Sequence, residues 1–138
     1  MARQDLTRPL LVKPHERRLP DGPGTPGMDR RVAIDGDGLW FGTVHTEPGI
    51  LTGWHHHGDY DTYIYTLEGE ARLDYLDGEQ VVAVESSPGD VLFIPKGYVH
   101  REGSASEHGI EAVIVRVGHG QVVFPVDDAD VPEAGRKG

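Results

Sequence analysis

The chain has 138 residues, 23 acidic against 13 basic, a formal net charge of −10 and no cysteine. That length supports a single core, and the missing thiols exclude disulfides, thiolate zinc sites and cysteine nucleophiles together. So acidic a surface repels phosphate backbones, which removes nucleic acid as an expected partner, and no window nears the ~18 consecutive apolar residues of a membrane span. Residues 1–29 read as an extended arm, because PDGPGTPG at 20–27 can continue neither a helix nor a central strand. The arm's opening lacks the apolar run of a secretory signal, so the cytoplasm is the expected compartment. From residue 30 short β-rich runs alternate with turn residues: RRVAI, LWFGTVHT, TYIYTL, ARLDYL, EQVVAVE, VLFIP, YVHRE, GIEAVIVRV and QVVFPV. Runs this short, joined by Gly, Pro and Asp, predict an all-β chain forming one antiparallel β-barrel or jelly roll over 30–126. Residues 127–138 are expected to be a flexible polar tail.

Two segments carry chemistry. His55 and His57 lie two apart within GWHHHGDYDTYIYTLEG, so on a strand they share a face with Cα atoms roughly 6.6 Å apart. In PGDVLFIPKGYVH, residues 88–100, Gly89 suits the turn position that needs positive φ, and Pro95 ends the strand. Gly97 then permits a second bend that returns His100 inward. Three imidazoles from two distant segments predict an open site for one divalent metal. Tyr98 and Glu102 share parity with His100. Glu102 is a candidate general base, with a pKa expected to be raised by an apolar surround, or else a solvated strand end.

The spacing Gly49-x5-His55-x-His57-x4-Thr62-x6-Gly69 resembles the first motif of the cupin family. Gly89-x5-Pro95-x-Gly97-x2-His100-x3-Ser104 resembles the second, and the likeness extends over about residues 42–117. It implies a small β-barrel holding one transition metal per chain (iron, manganese, nickel, zinc or copper), with His55, His57 and His100 as ligands. Two positions depart from the pattern: the family's glutamate ligand falls on Thr62 and its asparagine on Ser104. Asp61 is the alternative carboxylate, as ligand or proton carrier, yet strand parity lets only one of Asp61 and Thr62 face inward, and the spacing to Gly69 favours Thr62. A three-histidine site is therefore expected.

Arg116 lies inside the apolar run VIVRV, where a charge must be paired or face water. It pairs with an acid such as Glu111 or anchors a substrate carboxylate. Tyr63, Tyr65 and Leu67 form a face too apolar to stay bare, which calls for cover by the arm or by a second subunit, and the resemblance favours a homodimer. Trp40 and Trp54 read as core, with a cavity mouth as the alternative, and His45 as structural or as a hydrogen-bond partner behind the site. Arg30 and Arg31 read as surface residues, or as a gate. The remaining histidines read as structural or exposed. The expected function is a metal-dependent enzyme of dioxygenase type acting on a small organic substrate. A metal-dependent isomerase, cyclase or decarboxylase, a non-catalytic small-molecule-binding barrel and a metal-free barrel are the alternatives.

Overall fold

The computed structural model describes residues 4–22, 24–105 and 107–132. Ten strands follow in order: β1 (Met28–Gly36), β2 (Leu39–Thr46), β3 (His55–His56), β4 (Asp61–Glu68), β5 (Ala71–Asp77), β6 (Gln80–Ser86), β7 (Val91–Ile94), β8 (His100–Ser104), β9 (Ile110–Val117) and β10 (Phe124–Pro125). All pairings are antiparallel. The strands form two five-stranded sheets, ordered β1-β2-β9-β4-β7 and β10-β3-β8-β5-β6. This is the jelly-roll form, two separately hydrogen-bonded layers and not one closed barrel. Among the described residues no helix is long and apolar enough to cross a membrane.

Alternation decides what each strand buries. On β9, Ile110, Ala112, Ile114 and Arg116 turn inward, and residues 111, 113, 115 and 117 turn out. Val44, Ile64, Ile94, Ile110, Ala112 and Ile114 of the first sheet meet Leu73 of the second to form the core. The turns follow local chemistry: Gly89 and Gly97 take φ of 95° and 70°, and β7 stops at Ile94, before Pro95.

The arm docks on the edge of β1. Arg18 and Val32 exchange both backbone hydrogen bonds, at 2.9 and 2.7 Å, and the Gln4 amide donates to the Ala33 carbonyl. Residues 1–3 and 23 of the arm, and 133–138 of the expected tail, lie outside the described residues. Within 127–132, residues 128–130 form a 3-10 turn and Val131 is buried.

Gly103 fixes how β8 meets the segment ahead of β3. A Cβ there would fall 1.9 Å from the Ile50 carbonyl oxygen, where Leu51 and Gly103 form a bridge. Gly103→Ala is expected to cost about 1–3 kcal/mol by overpacking, read as a lower midpoint in urea at unchanged m-value.

Candidate metal centre

The histidine cluster is assembled by one strand pair. His55 on β3 stands directly opposite His100 on β8, and His57 follows where β3 ends. Ring centroids lie 4.4 Å apart for His55–His100, and 5.0 Å apart for both His55–His57 and His57–His100. Each ring is tied from behind. Nδ1 of His55 donates to the Gly53 carbonyl at 2.8 Å, that of His57 to Val122 at 2.7 Å, and that of His100 to Tyr98 at 2.9 Å. A carbonyl only accepts, so Nδ1 carries a proton in all three, and in the neutral ring the lone pair is left on Nε2. Burial lowers the pKa of His55, and burial followed by the Arg116 charge pushes His57 down to about 3, so both rings stay neutral.

The Nε2 atom of His100, fully buried, has no hydrogen-bond partner. That is the mark of a ligand atom, because an unsatisfied buried acceptor is otherwise costly. The donor atoms of His55, His57, His100 and Glu102 all lie within 4.8 Å of one another. Three imidazole nitrogens and one carboxylate fit a divalent first-row metal.

Glu102 thus joins the ligand cluster, and the carboxylate missing from position 62 is replaced by one on β8. Its pKa departs from expectation. Burial pushes it up, but the positive charge around it, Arg30 included, outweighs burial and holds it below the usual carboxylate value. Strand parity with His100 was the signal for its placement.

Asp61 stands outside the group formed by His55, His57, His100 and Glu102, and its carboxylate accepts a hydrogen bond from the Lys96 backbone N–H at 2.9 Å. Thr62 takes the inward position: it is buried, and its Oγ1 is without a partner. The Tyr98 side chain is placed by aromatic and core packing. Its ring packs edge-on against Tyr75 at 5.7 Å and against the core, while its carbonyl positions His100.

Arg116 is buried beside Thr62 in the β4–β9 ladder, and its guanidinium lies 4.9 Å from the Trp40 ring centre. Glu111 is not its partner. Five residues from Arg116, it faces the opposite side of β9 and pairs with His45 across the sheet. His45 is therefore an outer-face residue, its pKa raised chiefly by that Glu111 bond. Burial and then Arg30 lower the Arg116 pKa to about 10, so it remains a cation at neutral pH. Arg30 turns half inward, with Thr25 and Met28 as its hydrogen-bond partners, and Arg31 pairs with Asp29 outside.

An internal space of about 40 Å³ borders Glu102 and Arg30, walled by Val44, Ile64, Leu92 and Ile114. A larger cavity of about 580 Å³ opens on the arm side, lined in part by Trp40, Tyr60 and Val122. Trp40 thus lines a cavity and stacks on Arg116, whereas Trp54 is buried beneath the Arg101 guanidinium at 4.7 Å. His56 stacks on Phe124 with centroids 4.8 Å apart.

Fold and cluster together define a jelly-roll domain with an inward metal-ligand set. The chain belongs to the cupin family: the Cupin domain family matches residues 42–116, 75 of 138 residues. It is 47% identical over 58 residues to the Uncharacterized protein YdbB of Bacillus subtilis, a stretch covering 40% of this chain and 49% of that protein. The matched stretch is therefore about half of that relative's length. Among solved structures, Drosophila melanogaster CENP-C bound to CAL1 is similar at a TM-score of 0.67 and 15% identity, over 77% of this chain and 84% of that one. Bacillus subtilis oxalate decarboxylase, studied for its Mn(II) centres, is similar at 0.65 and 17%, over 80% of this chain and 31% of that one. Likeness at these identities concerns the fold alone.

Proposed function

We propose that this cupin is a metal-dependent enzyme acting on a small organic molecule, with oxygen-dependent oxidation of dioxygenase type as its leading chemistry. The observation that carries this is the convergence of four donors, three with Nδ1 fixed to a carbonyl, on one buried point. Four donors leave about two positions of a six-coordinate ion for a substrate and a second small molecule. A bound divalent ion would supply Lewis-acid polarisation of a chelating substrate and, where redox-active, electron transfer toward dioxygen. The chain's own part is positioning. The carbonyls of Gly53, Val122 and Tyr98 hold the imidazole planes, and Glu102 holds the ion or, released from it, a proton.

Glu102 also favours a second reading, a metal-dependent isomerase, cyclase or decarboxylase, since a carboxylate beside the ion can shuttle a proton without oxygen. Oxalate decarboxylase, a manganese protein with this fold, gives that reading some support. The complex of CENP-C with CAL1 is a reminder that the fold alone decides no activity.

Protein without a histidine tag, loaded anaerobically with Fe(II), Mn(II) or Zn(II), is expected to consume oxygen with a chelating substrate from a panel of small hydroxy acids, diketones and catechols. His100→Ala should lose that uptake. Turnover without oxygen uptake would move the assignment to the second reading. Ligand-induced thermal shifts with no product under any metal would make the protein a binding module.

We further propose that the outer face of the first sheet seats a second copy of the chain. Phe41, Val115, Tyr63 and Phe93 lie in one row across four strands, and Thr43, Val113, Tyr65 and Val91 in the next. Tyr63, Tyr65, Val91 and Phe93 are all exposed, and the arm that might have covered them is docked on β1. These rows hold no carboxylate although the chain carries −10, so two copies can meet here without bringing their charge together. Sedimentation at tens of micromolar should show a dimer, which Tyr65→Lys with Phe93→Lys converts to monomer. A wild-type monomer under those conditions would refute it.

A further inference from the structure

We propose that the metal pocket is built for a small anionic ligand, a compact carboxylate, whose charged group is received by Arg116 with Arg30 as the supporting cation. This rests on the reading of the site as a metal centre for a small molecule, and it names the class of that molecule.

The argument begins with an imbalance of charge. Arg116 is 6% exposed, its Nε has no hydrogen-bond partner, and no carboxylate among the described residues lies within ion-pair distance of it. Arg30 Nε is likewise buried and without a partner. Burying an unpaired cation costs far more than a structural role repays, because a well-packed apolar side chain of similar volume would serve packing better. The Trp40 ring offsets part of that cost but neutralises nothing. Two guanidinium groups and one carboxylate, Glu102, share the interior with the histidine cluster, and a divalent ion adds two further positive charges. The pocket is complete electrically only when an anion enters.

Position agrees with charge. Arg116 sits beside Thr62, the strand position that in the family pattern carries the ligand carboxylate, and here Thr62 supplies only an unpartnered hydroxyl. A planar guanidinium receives a carboxylate through two parallel hydrogen bonds, which fixes the orientation of the acid as well as its charge.

The test uses the full chain, metal-free and loaded with Zn(II), titrated with glycolate and lactate and, as uncharged controls of the same shape, glycolamide and lactamide. The acids should bind the loaded protein at least about tenfold more tightly than the amides. Arg116→Met should weaken acid binding by about 10- to 100-fold while leaving zinc stoichiometry unchanged, and Arg116→Lys should recover part of the loss. In the absence of any acid, Arg116→Met should raise Tm by a few degrees, since it removes an unpaired buried charge; a purely structural arginine would give the opposite sign. Acid binding unchanged in Arg116→Met, or amides binding as tightly as acids, overturns the proposal and leaves the metal reading standing. Failure of the wild type to take up zinc overturns the metal reading instead. Arg116-dependent acid binding to that metal-free protein would still support the anion site.

Discussion

His100→Ala is expected to reduce divalent-metal occupancy from about one per chain to background, with the β-sheet circular dichroism retained. His100 contributes the fully buried Nε2 that no other group satisfies, and it faces His55 directly across the β3–β8 ladder. Removing it takes one of four donors, the fully buried one, and leaves His55, His57 and Glu102 without the ligand that faces them across the ladder. Loss of an outer hydrogen-bond partner costs ~10–100-fold in affinity, so loss of a ligand should exceed about 100-fold. Glu102→Gln keeps the shape and removes the charge, and is expected to weaken binding by about 10-fold or more. Thr62→Glu then separates two placements of the carboxylate. In the Glu102→Gln background it should restore affinity if position 62 reaches the ion. It also stands beside Arg116, so it should supply that cation with a fixed partner and weaken the binding of small acids. Metal analysis after dialysis and competition with a chromophoric chelator measure all three. A His100→Ala protein that keeps one tightly held ion would remove the centre from this account.

Much of this site was legible because its signals are local. The His55-x-His57 spacing needs only strand alternation, and the turn at Gly89, the stop at Pro95 and the bend at Gly97 are properties of single residues. Glu102 was legible as a cavity residue by its parity with His100. Its pKa was not, since the charges around it, Arg30 among them, act over distances that no spacing encodes. Arg116 carries a signal of the same local kind. Five residues separate it from Glu111, an odd number, so alternation alone places them on opposite faces and denies Arg116 that partner. Asp61 shows the converse, because parity could say that it opposed Thr62 but not that the Lys96 backbone would claim its carboxylate. Least visible was the ionic cluster of the second sheet. Asp74 in ARLDYL looks like an ordinary outward strand residue until β8 lays Arg101 beside it, and that pairing joins segments 27 residues apart.

That cluster carries the second large expectation: Asp74→Ala should destabilise the fold by about 3–5 kcal/mol, the usual cost of stranding one partner of a buried ion pair. Asp74 is 0% exposed. Its Oδ2 accepts from Arg101 Nε at 2.8 Å and from Arg72 Nη2 at 2.8 Å, and its Oδ1 accepts from Arg72 Nε at 2.9 Å. Arg72 is half in water and can be rehydrated. Arg101 is buried against Trp54 and is harder to rehydrate, so the larger share of the penalty falls there. Arg101→Met in the Asp74→Ala background should therefore recover a large part of the loss, whereas two independent sites would add their costs. The same carboxylate sets a pH dependence. Burial alone would raise the Asp74 pKa, but Arg72 and Arg101 overcome it and hold it below the ordinary value of 3.8. In the unfolded chain the group titrates near its ordinary value, so its contribution is fully present above that pH and is lost as pH falls toward the folded pKa. Asp74→Asn should remove that part of the acid transition. Denaturant midpoints from pH 7 down to pH 3 would show wild type and Asp74→Asn converging as the pH drops, and parallel curves would mean that Asp74 is not held by its arginines.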